Sequence, residues 1–138
     1  MKLMLISLIL ITAGCSSVRS NGAELPVPSQ WKLESLGVAG AETTLVEGST
    51  VTLQFQEGGQ AGGSGGCNSY GAMYETQGKS IAFKDIISTL MACADDQVTQ
   101  QEAQYFQALQ SASEYKFSGD HLAILYDDGH SALNFVKQ

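Results

Sequence analysis

Residues 58–70 read GGQAGGSGGCNSY, and six of these thirteen positions are glycine. Glycine adds no side chain to a core and loses more backbone entropy on ordering than any other residue. Next to Cys67 and Asn68, such a stretch has three possible uses: a sharp crossing packed against neighbouring chain, a flexible connection, or a surface that binds a ligand. The segments on either side bear on the choice.

The glycine stretch lacks the pattern of a nucleotide or catalytic loop. A phosphate-binding loop needs Gly-Lys-Ser/Thr before a helix, but no lysine follows these glycines and the next segment has the pattern of a strand. Ser64 has Gly-x-Ser-x-Gly spacing, but a nucleophile elbow needs a strand before it and a helix after it. His121 and His130 lack close metal-ligand partners. We therefore expect the protein to have no enzymatic activity and to bind no cofactor and no metal.

Around the glycines, apolar and polar residues alternate with the period of half-buried strands. Trp31 and Leu33 share one face of the first such segment, with Ser35 the next position on it. The seven predicted strands cover residues 31–38, 49–57, 71–77, 80–86, 114–119, 121–126 and 131–136. The predicted fold is α+β: a small, mostly antiparallel, barrel-like sheet of about seven strands with one helix packed on it.

That helix is predicted over residues 97–112, which contain neither Gly nor Pro. Its apolar stripe consists of Val98, Tyr105, Phe106, Leu109 and Ala112. Its first turn is predicted at one of two places. Asp95 and Asp96 suit the positive end of the helix dipole, and Thr99 with Glu102 fits a capping box.

The whole chain has 138 residues, which is the size of one domain, and a formal net charge of -7. A nucleic-acid binder needs a basic face to replace phosphate counterions, so this composition argues against nucleic acid as a partner.

The N-terminus has the layout of a secretory signal: Lys2, an apolar run and then small residues. Ala13-Gly14-Cys15 resembles the lipobox of bacterial lipoproteins, although Thr12 stands where an aliphatic residue is usual. The resemblance implies a signal peptide over 1–14, a lipidated (palmitate-bearing) Cys15 as membrane anchor, a tether over 15–29 and a domain over 30–138. Ser16, rather than Asp, implies sorting to the outer membrane, facing the periplasm.

Three cysteines are present, and lipidation accounts for Cys15. In an oxidising compartment the remaining pair, Cys67 and Cys93, is expected to form a disulfide, with two buried free thiols as the alternative. By closing a loop in the unfolded chain, the bridge would stabilise the folded state by about 3.5 kcal/mol in the chain-entropy model.

The blocks GGCNSYGAMYETQGKSIAF, ISTLMACADD and EAQYFQAL together resemble the META domain family, which includes HslJ-like heat-shock lipoproteins. The likeness covers residues 30–136. The residues that carry it are Gly66, Cys67, Asn68, Tyr70, Tyr74, Thr89, Met91, Ala92 and Cys93. The resemblance implies a paired Cys67 and Cys93, no enzymatic activity, and an envelope role connected with stress tolerance.

The expected function is therefore that of a non-enzymatic envelope lipoprotein, a stress-related binding or interaction module whose partner is an envelope protein or a small ligand. The alternative is a binder of a small hydrophobic ligand inside the barrel-like sheet.

Replacing Cys15 by Ala should abolish acylation and move the domain out of the membrane fraction, because the thiol is the attachment point of the lipid. Metabolic labelling with a fatty acid, followed by fractionation, measures both effects. Label retained in the Ala variant would contradict the lipobox interpretation.

Overall fold

The structure is a computed structural model that describes residues 24–138. The predicted signal peptide, Cys15 and most of the predicted tether lie outside the described residues. The elements are β1 (Ser29–Val38), β2 (Thr43–Thr44), β3 (Thr52–Gln56), β4 (Gln60–Ser64), β5 (Ser69–Gln77), β6 (Ser80–Ser88), α1 (Asp96–Gln110), β7 (Ala112–Ser118), β8 (His121–Tyr126) and β9 (Ser131–Lys137). Within residues 24–138, no helix is both long and apolar enough to cross a membrane.

Eight of the strands, β1 and β3–β9, form a closed antiparallel barrel. Each strand pairs with the next along the chain, and β9 returns to pair with β1. The short β2 pairs with Ser35 and Leu36 of β1, beyond the part of β1 that β3 covers. This confirms the predicted α+β, barrel-like fold, with eight barrel strands in place of about seven.

The eighth barrel strand, β4, lies inside the glycine stretch, where we predicted none. It pairs with β3 and β5. A side chain at Gly63 (φ +154°) would place its Cβ 2.3 Å from the carbonyl oxygen of Thr52, and one at Gly62 would place its Cβ 2.7 Å from that of Tyr70. The chain therefore uses glycine here because neighbouring strands approach too closely for a Cβ atom.

The interior of the barrel is filled by side chains, as expected for eight strands. The largest fully buried ones are Trp31, Tyr105, Phe55, Phe135, Leu33, Leu53, Ile81, Leu109, Leu122, Ile124, Leu133 and Val51. Leu25 is also buried in this core, so the packed part of the chain begins a few residues before Gln30.

A β-bulge in β1 changes which residues face the core. Its pairing with β9 shifts between Leu33 and Ser35. Because one extra residue reverses the alternation of a strand, Leu36 is buried and Ser35 is only half-buried. The continuous alternation that we predicted through Ser35 is therefore wrong after Leu33.

The helix begins after Asp95, whose Oδ1 accepts a hydrogen bond of 2.7 Å from the backbone N–H of Gln97. The capping box at Thr99 is therefore wrong: Thr99 lies in the first turn and Glu102 turns inward. Tyr105 and Leu109 are fully buried as predicted. Phe106 is only half-buried, and Ala112 belongs to β7.

The helix compensates for a weak seam in the barrel. β6 and β7 pair at a single position, Ser80 with Glu114, although each pairs along most of its length with its other neighbour. The connection between β6 and β7 is the helix itself, which lies along β6 and contributes Tyr105, Ala108 and Leu109 to the core. Helix packing thus replaces strand pairing at this seam.

Replacing Gly63 by Ala should lower the free energy of unfolding by about 2–4 kcal/mol, because the new Cβ overlaps the backbone of β3. Gly71→Ala is the matched control, since Gly71 is also in a strand but has open space around its Cβ position. Chemical denaturation of both variants measures the difference, and equal stabilities would contradict the close approach of β3 and β4.

Candidate functional site

The side chain of Asn68 connects the glycine crossing to the segment that precedes the helix. Its Oδ1 accepts hydrogen bonds from Thr89 Oγ1 (2.8 Å) and from the backbone N–H of Met91 (2.7 Å). Its Nδ2 donates to Glu102 Oε1 at 2.6 Å. Because Asn68 is buried, these hydrogen bonds are shielded from water, and they hold residues 89–91 against the barrel.

The carboxylate of Glu102 holds the same crossing from the helix side. Besides bonding the Asn68 side chain, it accepts backbone N–H groups through Oε2, from Cys67 at 3.0 Å and from Asn68 at 2.6 Å. The helix reaches this position because Gly65 has no side chain: a Cβ there would lie 2.7 Å from both Glu102 Oε2 and Phe106 Cζ. A buried carboxylate is tolerated here because N–H donors surround it.

The structure joins Cys67 and Cys93 in a disulfide, with their Cα atoms 5.9 Å apart. The bridge links the crossing to the residues just before α1. The segment 89–95 has no regular secondary structure, yet it is fixed near both ends, by Thr89 and Met91 on one side and by Cys93 on the other.

The fixed segment displays large apolar side chains to solvent. Leu90 is 95% exposed, Met91 60% and Ile87, at the end of β6, 73%. We call Ile87, Leu90 and Met91 the Leu90 patch. A shallow depression of about 320 Å³ lies beside it, lined by Ser69, Tyr70, Gly71, Ile87, Ser88 and Thr89.

Behind the patch, two buried tyrosines join the helix to the barrel. The hydroxyl oxygens of Tyr70 and Tyr105 are 2.6 Å apart, and that of Tyr70 donates to the Thr52 carbonyl at 3.0 Å. Burial raises the pKa of both phenols, and the proximity of Tyr70 raises that of Tyr105 further. Both side chains therefore remain neutral at physiological pH and act as hydrogen-bonding core residues.

The remaining residues that carry the resemblance to the family lie at the following places in the fold. Gly66 has φ +117°, a conformation that favours glycine, and Tyr74 is buried in β5. Ala92 is exposed on the fixed segment. Asn68, Thr89, Met91, Cys67 and Cys93 are brought together in one place.

Two of the residues considered for catalysis, Ser64 and His130, make local contacts with the backbone. Ser64 Oγ accepts a hydrogen bond from the N–H of Gly66, whereas His130 Nδ1 lies 2.8 Å from the Asp127 carbonyl oxygen. Cys67, Cys93 and Glu102 bring ligand-type atoms within 4.8 Å of one another. The two sulfurs are bonded to each other, so this group is a disulfide beside a carboxylate.

Sequence analysis missed the roles of Gln101 and Glu102, which lie on the buried side of the helix. Gln101 Oε1 accepts from Val46 N–H at 2.7 Å, and its Nε2 donates to Ser49 Oγ at 2.9 Å. Their polarity placed them outside the apolar stripe. Their spacing could have indicated burial, since positions 101, 105 and 108, and likewise 102, 105 and 109, follow each other at helical intervals.

Replacing Glu102 by Ala should lower the free energy of unfolding by about 3 kcal/mol, because it leaves the N–H groups of Cys67 and Asn68 buried without an acceptor. Gln100→Ala, at an exposed position of the same helix, should change it by less than about 0.5 kcal/mol. Urea denaturation measures both. A loss below about 1 kcal/mol for the Glu102 variant would contradict the role of the carboxylate.

Solved structures with the same fold are distantly related to this chain. An NMR structure of a protein from Burkholderia xenovorans has a TM-score of 0.71 and 21% identity, over 94% of this chain and 99% of that one. A second NMR structure has a TM-score of 0.61 and 19% identity, over 78% and 87%. The crystal structure of a DUF4847 family protein from Bacteroides vulgatus has a TM-score of 0.58 and 11% identity, over 80% and 92%. At these identities the likeness shows the fold alone.

No curated protein matches the chain. The model of the META domain matches residues 23–138, which include every strand, the helix and the disulfide. The chain therefore belongs to the META domain family.

Proposed function

We propose that this protein is a non-enzymatic, lipid-anchored interaction domain of the bacterial envelope, connected with stress tolerance, and that it binds a partner protein through the Leu90 patch. The observation that carries the proposal is the 95% exposure of Leu90 on a segment that a disulfide and a buried hydrogen-bond network hold in place.

The fixed segment has the properties of a preorganised binding surface. Exposed apolar side chains that cluster on a folded domain typically mark interaction sites. Here the patch sits on chain that is already ordered, so little conformational entropy remains to be lost when a partner docks. Leu90 and Met91 are thus presented without the ordering cost that a flexible loop would carry.

The topology supports a partner other than the anchoring membrane. Neighbouring strands of the barrel are antiparallel, and β6 is four strands from β1, so both run in the same direction. The predicted tether precedes β1 in the chain, whereas the patch follows the end of β6. The patch therefore lies at the opposite end of the barrel from the start of β1.

The charges near the patch indicate the chemistry of the partner. Asp85 precedes Ile87 by two residues, and Asp95 and Asp96 follow Met91 closely; all three are exposed. The whole chain is also acidic. Electrostatic complementarity favours an apolar surface rimmed by basic residues and disfavours anionic lipid.

The alternative, a small hydrophobic ligand inside the barrel, is not favoured by the packing. Aromatic and aliphatic side chains, among them Trp31, Phe55 and Phe135, fill the interior and are fully buried. A ligand there would have to displace them.

A photoreactive amino acid in place of Leu90, in the full-length lipidated protein in its native envelope, should yield a discrete crosslinked species. The same residue in place of Glu114, an exposed position of β7, is the matched control and should yield none. Adding Met91→Ser should reduce the Leu90 crosslink about tenfold, because it removes apolar contact area without disturbing the core.

Crosslinks of equal yield and identical mass from both positions would contradict a specific surface. A Leu90 crosslink to lipid alone would contradict a protein partner. Thermal denaturation of the Met91→Ser variant checks that the fold is retained.

A further inference from the structure

A second surface feature, separate from the Leu90 patch, runs along the opposite side of the helix. Two joined depressions, of about 440 and 200 Å³, lie between α1 and the β1–β2 region. Both are lined by Leu36, Thr43 and Gln104. The larger continues to Gln107, Tyr126 and Asp127, and the smaller to Gln97 and Gln100. We call the two together the glutamine groove.

The helix side of the groove is a row of side-chain amides. Gln97, Gln100, Gln104 and Gln107 follow each other at intervals of three and four residues, which places them on one helical face. From Gln97 to Gln107, a span of ten helical steps, the row extends about 15 Å. Gln101, Glu102 and Tyr105 of α1 use their side chains in hydrogen bonds. Within the described part of the chain, the amides of the four glutamines in the row make no hydrogen bond to the protein. Each amide can both donate and accept.

The far wall and the floor add hydroxyl groups and an apolar base. Thr43, Thr44 and Ser131 contribute hydroxyls, while Leu36 and Ala108 form a buried floor. Tyr126 is half-buried at one end. Gly37 and Ser131 line the same end of the groove. The groove therefore combines polar groups that face a ligand with aromatic and aliphatic surface beneath it.

The charge of the groove narrows the class of ligand. None of the described residues that line it is a lysine or arginine, and Asp127 is its one charged residue. In a chain of net charge -7, such a site repels phosphate, sulfate and carboxylate groups. Free amides and hydroxyls instead match a ligand that is itself neutral and hydrogen-bonds in both directions.

We propose that the glutamine groove binds a neutral oligosaccharide, whose hydroxyl or acetamido groups bond the row of amides and whose C–H faces rest on Tyr126 and Leu36. An extended peptide fits less well. Peptides that add to a sheet rely on a ladder of backbone hydrogen bonds, and the strand at this wall, β2, has only two residues.

The test uses the full-length lipidated protein in nanodiscs and a β-1,4-linked tetramer of N-acetylglucosamine as the probe. Saturation-transfer NMR should show transfer to the probe above that of empty nanodiscs. The double variant Gln104→Ala/Gln107→Ala should weaken binding about tenfold, because it removes two amides from the centre of the row. Gln110→Ala is the matched control: it is exposed on the same helix, does not line the groove, and should leave binding unchanged.

Three results would overturn the proposal: no transfer at millimolar probe, equal binding by the double variant and the wild-type protein, or tighter binding of a neutral Ala/Ser hexapeptide or a sulfated tetrasaccharide than of the probe. Leu90→Ser, which removes the centre of the Leu90 patch, should not affect probe binding. This variant separates the groove from the protein-binding role of the patch.

Discussion

The structure depends on a buried carboxylate, that of Glu102, which is held by N–H groups from the crossing between β4 and β5. Bringing a charge into the core is unfavourable unless donors replace the water that it loses. Here the Cys67 and Asn68 backbones and the Asn68 side chain do so, at 2.6–3.0 Å. The helix, the crossing and the segment before the helix are therefore fixed relative to one another by a single group.

This arrangement requires close approach, and close approach requires glycine. Gly65 admits the Glu102 and Phe106 side chains, and Gly63 admits the backbone of β3. The cost of ordering so many glycines is offset by what they allow: a closed barrel and a helix seated at its weak seam. The disulfide acts on the same crossing by limiting the freedom of the unfolded chain.

The same core explains how two surfaces of different chemistry come to lie on either side of one helix. Inward-facing residues of α1 fix the position of the helix against the barrel. The Leu90 patch is apolar with acidic neighbours, and the glutamine groove is polar and nearly uncharged. Both proposed roles rest on binding by preformed surfaces, which agrees with a barrel interior that is fully occupied by its own side chains.

Much of this architecture follows from the sequence alone. Alternation within β1, β3 and β5–β9 specifies strands because each such strand has one face in the core, and the Gly- and Pro-free run before residue 112 specifies the helix. The two cysteines beyond Cys15 specified a candidate bridge. Family membership could be inferred from the blocks around Cys67 and Cys93, since they include the residues that hold the crossing.

Tertiary structure alone decided the rest. β4 has no alternation of apolar and polar residues to detect. Its glycines are required by the close approach of neighbouring strands, which no local pattern indicates. Leu36 enters the core through a bulge set by pairing with β9, about a hundred residues away in the chain. Gln101 and Glu102 are polar residues that become buried because their partners lie more than thirty residues away. Local sequence reports which residues share a face, whereas barrel closure, hydrogen-bond partners and the exposure of Leu90 depend on contacts that exist only once distant segments have met.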